Sequence, residues 1–167
     1  MDGDGNITIN NDGVRKALTK MKEIVDSGIV PENFNSFMEN ECTNMFLAGE
    51  AIFMRNWPGT YASAVDPEMS QVSENVGVAV LPAGDAGSAA TLGGWGWMIN
   101  RNTEHPEAAW EFIKFVAGPE GQKINAIVAS QPPTYMPLYD DPEVLAANPH
   151  FANMRESLEA AFTRPVS

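Results

Sequence analysis

A glycine–tryptophan stretch, Gly93-Gly94-Trp95-Gly96-Trp97, most constrains what this chain can fold into. It begins an apolar run to Asn100 that predicts a strand, and it holds two of the four tryptophans. Glycine weakens a strand because it costs entropy and packs nothing, but it lets another group approach the backbone. A neighbouring indole offers a broad apolar face with an N–H at its edge. Two interpretations are equally open: a bent core strand with buried tryptophans, or a ligand platform at a hinge.

Charge and composition exclude some classes of partner. The 167 residues carry 22 acidic against 10 basic side chains, for a net charge of −12, which argues against nucleic acid because its binding rewards clustered Lys and Arg. An anionic membrane surface is disfavoured for the same reason. Cys42 is the only cysteine, so no disulfide forms within the chain. No signal-peptide pattern follows Met1. The sequence opens in the middle of a turn, with no element before it, which suggests a processed chain.

The hydrophobic pattern predicts an α/β chain with more helix than strand. Asn10 or Asn11 caps a first amphipathic helix that Gly28 ends, and Asn102 or Thr103 caps a later one with Pro106 in its first turn. The other predicted helices lie at residues 37–47, 58–65, 120–130, 142–147 and 149–162. Strands are predicted at residues 6–9, 51–54, 76–82 and from 91 onward, which are few for an independent sheet.

Trp57 follows the short apolar run 51–54, which predicts a buried strand. In open α/β sheets, ligands bind outside the carboxyl ends of the strands. A ligand contact is therefore plausible for Trp57, and core packing is an equal alternative. Trp110 lies in a strongly apolar helical segment and is predicted to be a core residue.

Residues with catalytic chemistry are not arranged in any recognisable motif. His105 and His150 both lie beside prolines at predicted helix starts, and no His or Cys pair has metal-ligand spacing. We therefore expect no catalytic residue, metal or cofactor. Tryptophans beside glycine-rich backbone suit a carbohydrate, because a sugar has an apolar face that stacks on indole and hydroxyls that need polar groups. Arg55, Asn56 and the backbone at Gly93-Gly94 could supply those groups.

A set of soft motifs in a fixed order carries a family resemblance. They are Asp4-Gly5-Asn6-Ile7-Thr8, the run 46–54, Trp57, the run 77–82, the run 93–100, the run 106–115, Pro119-Glu120-Gly121-Gln122, Pro133-Thr134 and Arg164-Pro165. Each is weak alone, but the ordered set is specific. The chain resembles the C-terminal half of an extracellular solute-binding protein of a sugar ABC transporter, of the maltose/trehalose and multiple-sugar type.

The resemblance implies a helix-rich, partial periplasmic-binding-protein fold, in which two α/β lobes close on a sugar. Residues 1–93 would form a second-lobe α/β segment, and 94–131 a hinge strand and helices of the first lobe. Residues 132–167 would return to a truncated second lobe. The family's N-terminal half is absent, which implies a fragment or a truncated product.

The resemblance also implies roles for individual residues. Trp57 would stack on the sugar, while Gly93, Gly94 and Trp95 would line the cleft; Tyr61 and Arg164 are weaker assignments. Trp97 and Trp110 would be packing residues. The implied partners are a carbohydrate and the membrane permease, and the implied location is extracytoplasmic, either periplasmic or lipid-anchored. Apolar faces of the helices in 106–130 predict a homodimer. The alternatives are a structural or oligomerising fragment without sugar binding and, less favoured, a carbohydrate-active enzyme.

Overall fold

The computed structural model describes residues 4–164. Two predicted features extend beyond these residues. The mid-turn opening starts at Met1, and the proline of the Arg164-Pro165 motif lies outside the described range. Within them, α-helices form at α1 (Asp12–Asp26), α2 (Glu39–Leu47), α3 (Thr60–Ala64), α4 (Pro106–Ala117), α5 (Pro119–Ala129), α6 (Pro142–Ala147) and α7 (Phe151–Glu159). Short 3-10 helices lie at Phe34–Ser36, Ser73–Asn75 and Met136–Asp140.

The described residues divide into two compact units, residues 4–42 and residues 43–164. In the first unit, the Asn11 side chain caps α1 by accepting a hydrogen bond from the Val14 N–H at 3.0 Å. Gly28, just beyond the end of α1, has a φ of 72°, which a side chain rarely tolerates. Both ends of the predicted first helix are thus confirmed.

The second unit has its hydrophobic core between α5, α6, α7 and the 3-10 helix at 136–140. Tyr139, Val144 and Phe151 are fully buried there, and the rings of Tyr139 and Phe151 lie 5.6 Å apart. The Tyr139 hydroxyl donates to the Pro133 carbonyl at 3.0 Å, and burial raises the pKa of Tyr139 to about 12. The buried Asn148 amide donates to the Ala126 carbonyl of α5 at 2.8 Å. These contacts fix the segment after α5 against the core.

An ion-pair cluster also joins α5 to the start of α6. The Lys123 ammonium lies 2.8 Å from Asp141 and 2.7 Å from Glu143. Asp141 also caps α6, since its carboxylate accepts from the Glu143 and Val144 N–H groups. Hydrogen bonding to Lys123 lowers the pKa of Asp141, and hydrogen bonding to Asp141 and Glu143 raises the pKa of Lys123.

Some predicted helix boundaries are wrong. Helix α4 starts at Pro106 with His105 as its N-cap, because proline fixes a helical φ and lacks the N–H that the first turn cannot pair. Thr103 instead accepts from the His105 N–H, and Asn100 from the Asn102 N–H, within a turn. Helix α7 is shorter than the predicted 149–162.

The predicted strands at 6–9, 51–54, 76–82 and from 91 do not form a sheet within residues 4–164. Pairing there is limited to two isolated bridges, Gly84 with Gly87 and Thr91 with Phe162. Ile52 and Phe53 are 86% and 91% exposed, so the predicted buried strand at 51–54 is also wrong. A strand is stabilised by a neighbour that pairs its backbone N–H and C=O groups. The described residues place no long segment alongside these runs.

Candidate functional site

The candidate ligand-binding site begins with a short pairing between two distant segments of the second unit. Thr91 and Phe162 form a parallel bridge, in which the Leu92 N–H donates to the Phe162 carbonyl and the Phe162 N–H donates to the Ala90 carbonyl, each at 2.9 Å. Paired strands advance together, so Gly93 and Arg164, each two residues further on, come side by side. The Arg164 Nε donates to the Leu92 carbonyl at 3.3 Å.

The missing side chain of Gly93 leaves room for Arg164 and Trp57. A Cβ at Gly93 would lie 2.6 Å from the Arg164 Nη2 and 3.9 Å from the Cη2 of the Trp57 ring. The first distance is too short for a real contact. The guanidinium therefore occupies the space that the Cβ of any residue other than glycine would take at position 93. Three of the predicted site residues, Trp57, Gly93 and Arg164, therefore meet at one point.

Asn56 positions the Trp57 loop. Its amide Nδ2 donates to the Thr43 hydroxyl at 2.9 Å, and its Oδ1 accepts from the Trp57 N–H at 2.7 Å. The Trp57 carbonyl then accepts from the Thr60 N–H, which leads into α3. Asn56, predicted as a possible sugar contact, has its amide engaged within the protein, while Arg55 is exposed.

Tyr61, on α3, contacts the core. Its ring lies 4.1 Å from the ring of His150, which in turn lies 4.7 Å from Phe151. His150 is 5% exposed, and neither ring nitrogen has a hydrogen-bond partner. Burial lowers the pKa of His150 to about 4, so the ring is neutral at pH 7. Tyr61 is thus a packing partner of His150 as well as a neighbour of the Trp57 loop.

Gly94 and Trp95 are open to solvent. Nothing lies within 4 Å of a Cβ placed at Gly94, and the Trp95 side chain is fully exposed. Trp97 and Trp110, predicted to be packing residues, are 63% and 53% exposed, so those predictions are wrong for this structure. Trp97 contacts Phe112 edge-on at 5.9 Å between ring centres, and no layer of the described chain covers its remaining surface.

Trp95 and Trp97 line a groove of about 380 Å³ beside α4 and α5. Another wall comes from residues 131–134, which include the Pro133-Thr134 motif of the sequence. Gln122 holds that wall, because its Oε1 accepts from the Thr134 N–H, the Thr134 hydroxyl and the Tyr135 N–H. Gln122 belongs to the Pro119-Glu120-Gly121-Gln122 motif. Nothing in the sequence around it predicts that its side chain binds a segment 12 residues further along the chain.

Residues 4–164 contain no group of three or more His, Cys, Asp or Glu side chains that could hold a metal ion. Over the same range, no helix has both the length and the apolar character needed to cross a membrane. What the geometry does present is exposed indole rings, one guanidinium and accessible glycine backbone. These features are typical of a binding module, which holds a small ligand against aromatic surfaces.

Comparison with known proteins identifies the family. A family profile described as bacterial extracellular solute-binding protein matches residues 1–123. The chain therefore belongs to this family, and the resemblance seen in the sequence is confirmed. A probable ABC transporter-binding protein of Deinococcus radiodurans is 36% identical over 168 residues, which cover 100% of this chain and 40% of the relative. A probable amino-acid ABC transporter periplasmic-binding protein of Sinorhizobium fredii is 25% identical over 72% of this chain and 24% of its own length.

A solved structure confirms the predicted fold class. The maltose-bound MalE3 of T. maritima matches with a TM-score of 0.91 and 36% identity, over 99% of this chain and 43% of that chain. The chain thus has a helix-rich, partial periplasmic-binding-protein fold. It spans about two fifths of the length of these two relatives at 36% identity.

Proposed function

We propose that this chain is part of the carbohydrate-binding component of a sugar ABC transporter and that it holds the sugar by tryptophan stacking. The observation that carries the proposal is the meeting of the Trp57 ring and the Arg164 guanidinium at Gly93. An indole can stack on the apolar face of a sugar, while a guanidinium can donate several hydrogen bonds to its hydroxyls. Gly94 and Trp95 follow directly along the chain and are accessible.

A sugar is a better candidate than an amino acid. The relative with an amino-acid transporter name is 25% identical, whereas the match to a maltose-bound structure has 36% identity and a TM-score of 0.91. An amino acid would need a carboxylate partner and an ammonium partner. Arg164 could bind the carboxylate, but none of the other proposed site residues is acidic.

The wider role follows from the family. The protein would deliver its ligand to the membrane permease of the transporter from an extracytoplasmic location, in the periplasm or at the cell surface. It would have no catalytic activity of its own, since the proposed contacts only hold and orient a ligand.

A second copy of the chain is a further proposed partner. Apolar side chains on α4 and α5 remain exposed, including Trp110, Phe112, Phe115, Ile124 and Val128. Exposed apolar patches of this kind mark association surfaces in soluble proteins. Self-association would remove these side chains from water.

Tryptophan fluorescence tests sugar binding. Titration with a panel of di- and oligosaccharides should change the emission of the wild-type protein, and Trp57→Ala and Trp95→Ala should each abolish the response. Trp110→Ala is the matched control, because its ring is 53% exposed against 60% for Trp57 and it is not among the proposed contacts. Binding that persists in both site variants would refute the assigned site. A flat wild-type titration would support a fragment without sugar binding, and turnover of the sugar would support an enzyme.

A further inference from the structure

The Trp57 loop runs directly into α3, so the position of this short helix affects the position of the Trp57 ring. The Thr60 N–H donates to the Trp57 carbonyl at 3.0 Å, and the Tyr61 N–H donates to the Pro58 carbonyl at 3.1 Å. These bonds close two consecutive backbone turns, which leave the chain between Trp57 and Tyr61 little freedom. A displacement of Tyr61 would therefore also move Trp57, four residues earlier.

Tyr61 fastens α3 to the core through its ring. Helix α3 has five residues, Thr60–Ala64, which is too few for a helix to be stable without tertiary contacts. The centre of the Tyr61 ring lies 4.1 Å from the centre of the His150 ring. Ala64 is buried as well, but it is a small side chain about one helical turn further from Trp57. The ring pair is thus the anchor of α3 nearer to the Trp57 loop.

His150 is a fixed support for Tyr61. Its carbonyl accepts from the Asn153 and Met154 N–H groups at 3.1 and 3.2 Å, at the start of α7. Its ring lies 4.7 Å from the ring of Phe151, which is fully buried. Because burial lowers the pKa of His150 to about 4, the ring is neutral at pH 7. With no hydrogen-bond partner on either nitrogen, it serves as an aromatic packing surface.

We infer that Tyr61 and His150 are positioning residues for the proposed sugar site. Their ring contact holds α3, and with it the Trp57 loop, in the orientation in which the Trp57 ring lies near Gly93 and the Arg164 guanidinium. This inference rests on the proposed sugar-binding function and adds the way in which the core supports it. Both rings act through the Trp57 loop and make no contact with the sugar.

Isothermal titration of the full chain with maltose at pH 7 tests the inference. His150→Ala and Tyr61→Ala each remove one ring of the pair, and each should weaken the affinity about 3- to 10-fold, the effect of one lost aromatic contact. His150→Phe and Tyr61→Phe each keep a ring, so their affinities should stay within about twofold of the wild-type value. Val144→Ala is the control for lost stability alone, because Val144 is a fully buried residue outside the ring pair. Circular dichroism would check that each variant is folded.

The indole N–H resonance of Trp57 gives a second measurement that needs no sugar. In a proton–nitrogen correlation spectrum of the ligand-free protein, the resonance is assigned by its loss in Trp57→Phe. It should shift in His150→Ala and Tyr61→Ala, and it should stay in place in His150→Phe and Val144→Ala. Tyr61 is only half-buried, so Tyr61→Ala keeps the test available if His150→Ala does not fold.

The outcomes separate positioning from direct contact and from lost stability. If Tyr61→Phe weakens maltose binding as much as Tyr61→Ala, the hydroxyl contacts the sugar and the positioning role is refuted. If Val144→Ala weakens binding as much as His150→Ala, general destabilisation explains the effect and the inference is overturned.

The two proposals also fail in different ways. If the wild-type protein does not bind maltose, the proposed function is overturned for this sugar. A shifted Trp57 resonance in His150→Ala and Tyr61→Ala would still support the role of the ring pair in placing the Trp57 loop. An unchanged resonance in both variants would refute that role whether or not maltose binds.

Discussion

The buried histidine of the second unit should make the stability of the protein depend on pH. His150 is packed between the rings of Tyr61 and Phe151, and both of its ring nitrogens lack partners. Protonation would place a charge in this apolar environment, which is why burial lowers the pKa of His150 from 6.5 to about 4. An unfolded chain would expose the same ring to water and return its pKa to the ordinary value.

The size of the effect follows from the two pKa values. Between pH 6.5 and 4 the unfolded chain binds a proton that the folded chain does not, so the free energy of unfolding falls as the pH falls through this window. The stability is fully present above pH 6.5. The loss is about 2 kcal/mol at pH 5 and reaches about 3 kcal/mol below pH 4, at about 1.4 kcal/mol per pKa unit.

Urea unfolding followed by circular dichroism at pH 7.5 and pH 5 measures this loss. His150→Phe keeps an aromatic ring against Tyr61 and Phe151 but removes the titrating group, so the variant should lose about 2 kcal/mol less than the wild-type protein between the two pH values. Carboxylates titrate in both proteins and cancel in the comparison. His105→Phe controls for the loss of an exposed histidine and should behave like the wild-type protein. Equal losses in the wild-type protein and His150→Phe would show that the ring does not resist protonation.

Three further predictions concern the site, the core and the surface. Gly93→Ala should displace Arg164 and weaken sugar binding measured by calorimetry, because its Cβ would lie 2.6 Å from the guanidinium, whereas Gly77→Ala has open space outside the proposed site and should not; equal affinities would contradict the assigned packing. Tyr139→Phe should cost about 1 kcal/mol in urea unfolding through the lost bond to the buried Pro133 carbonyl, and an unchanged midpoint would refute this role. Light scattering after size exclusion should show a dimer that Phe112→Lys combined with Phe115→Lys shifts to monomer, and a compact wild-type monomer would rule out self-association.

Features that depend on neighbouring residues could be predicted from the sequence. The Asn11 cap, the end of α1 before Gly28 and the break at Gly118-Pro119 between α4 and α5 all appear as expected. The ordered motifs were also enough to identify the family, because many soft signals in one order are specific together. The division into lobes at residues 93 and 131, and the roles of the individual site residues, remain predictions.

Burial could not be predicted in the same way. The family resemblance predicts Trp97 as a packing residue, and a strongly apolar helical segment predicts Trp110 as a core residue, yet most of each residue is exposed. The apolar run at 51–54 has the pattern of a buried strand, yet it forms no ladder within residues 4–164. Burial and strand pairing both need a second segment, and a pattern along one segment carries no information on whether that segment is present.

The sequence by itself determined both ends of α1 and the break between α4 and α5, because capping side chains, proline and glycine act within about four residues through backbone hydrogen bonds and φ angles. It also supplied the indoles and glycines suited to a sugar. Only the tertiary structure decided which of them meet. Arg164 donates to the carbonyl of Leu92, which lies 72 residues earlier in the chain, and its guanidinium lies against Gly93. Gln131 likewise rests against Gly59. Such contacts depend on how the whole chain packs, so Gln131 and the groove it lines became visible only in three dimensions.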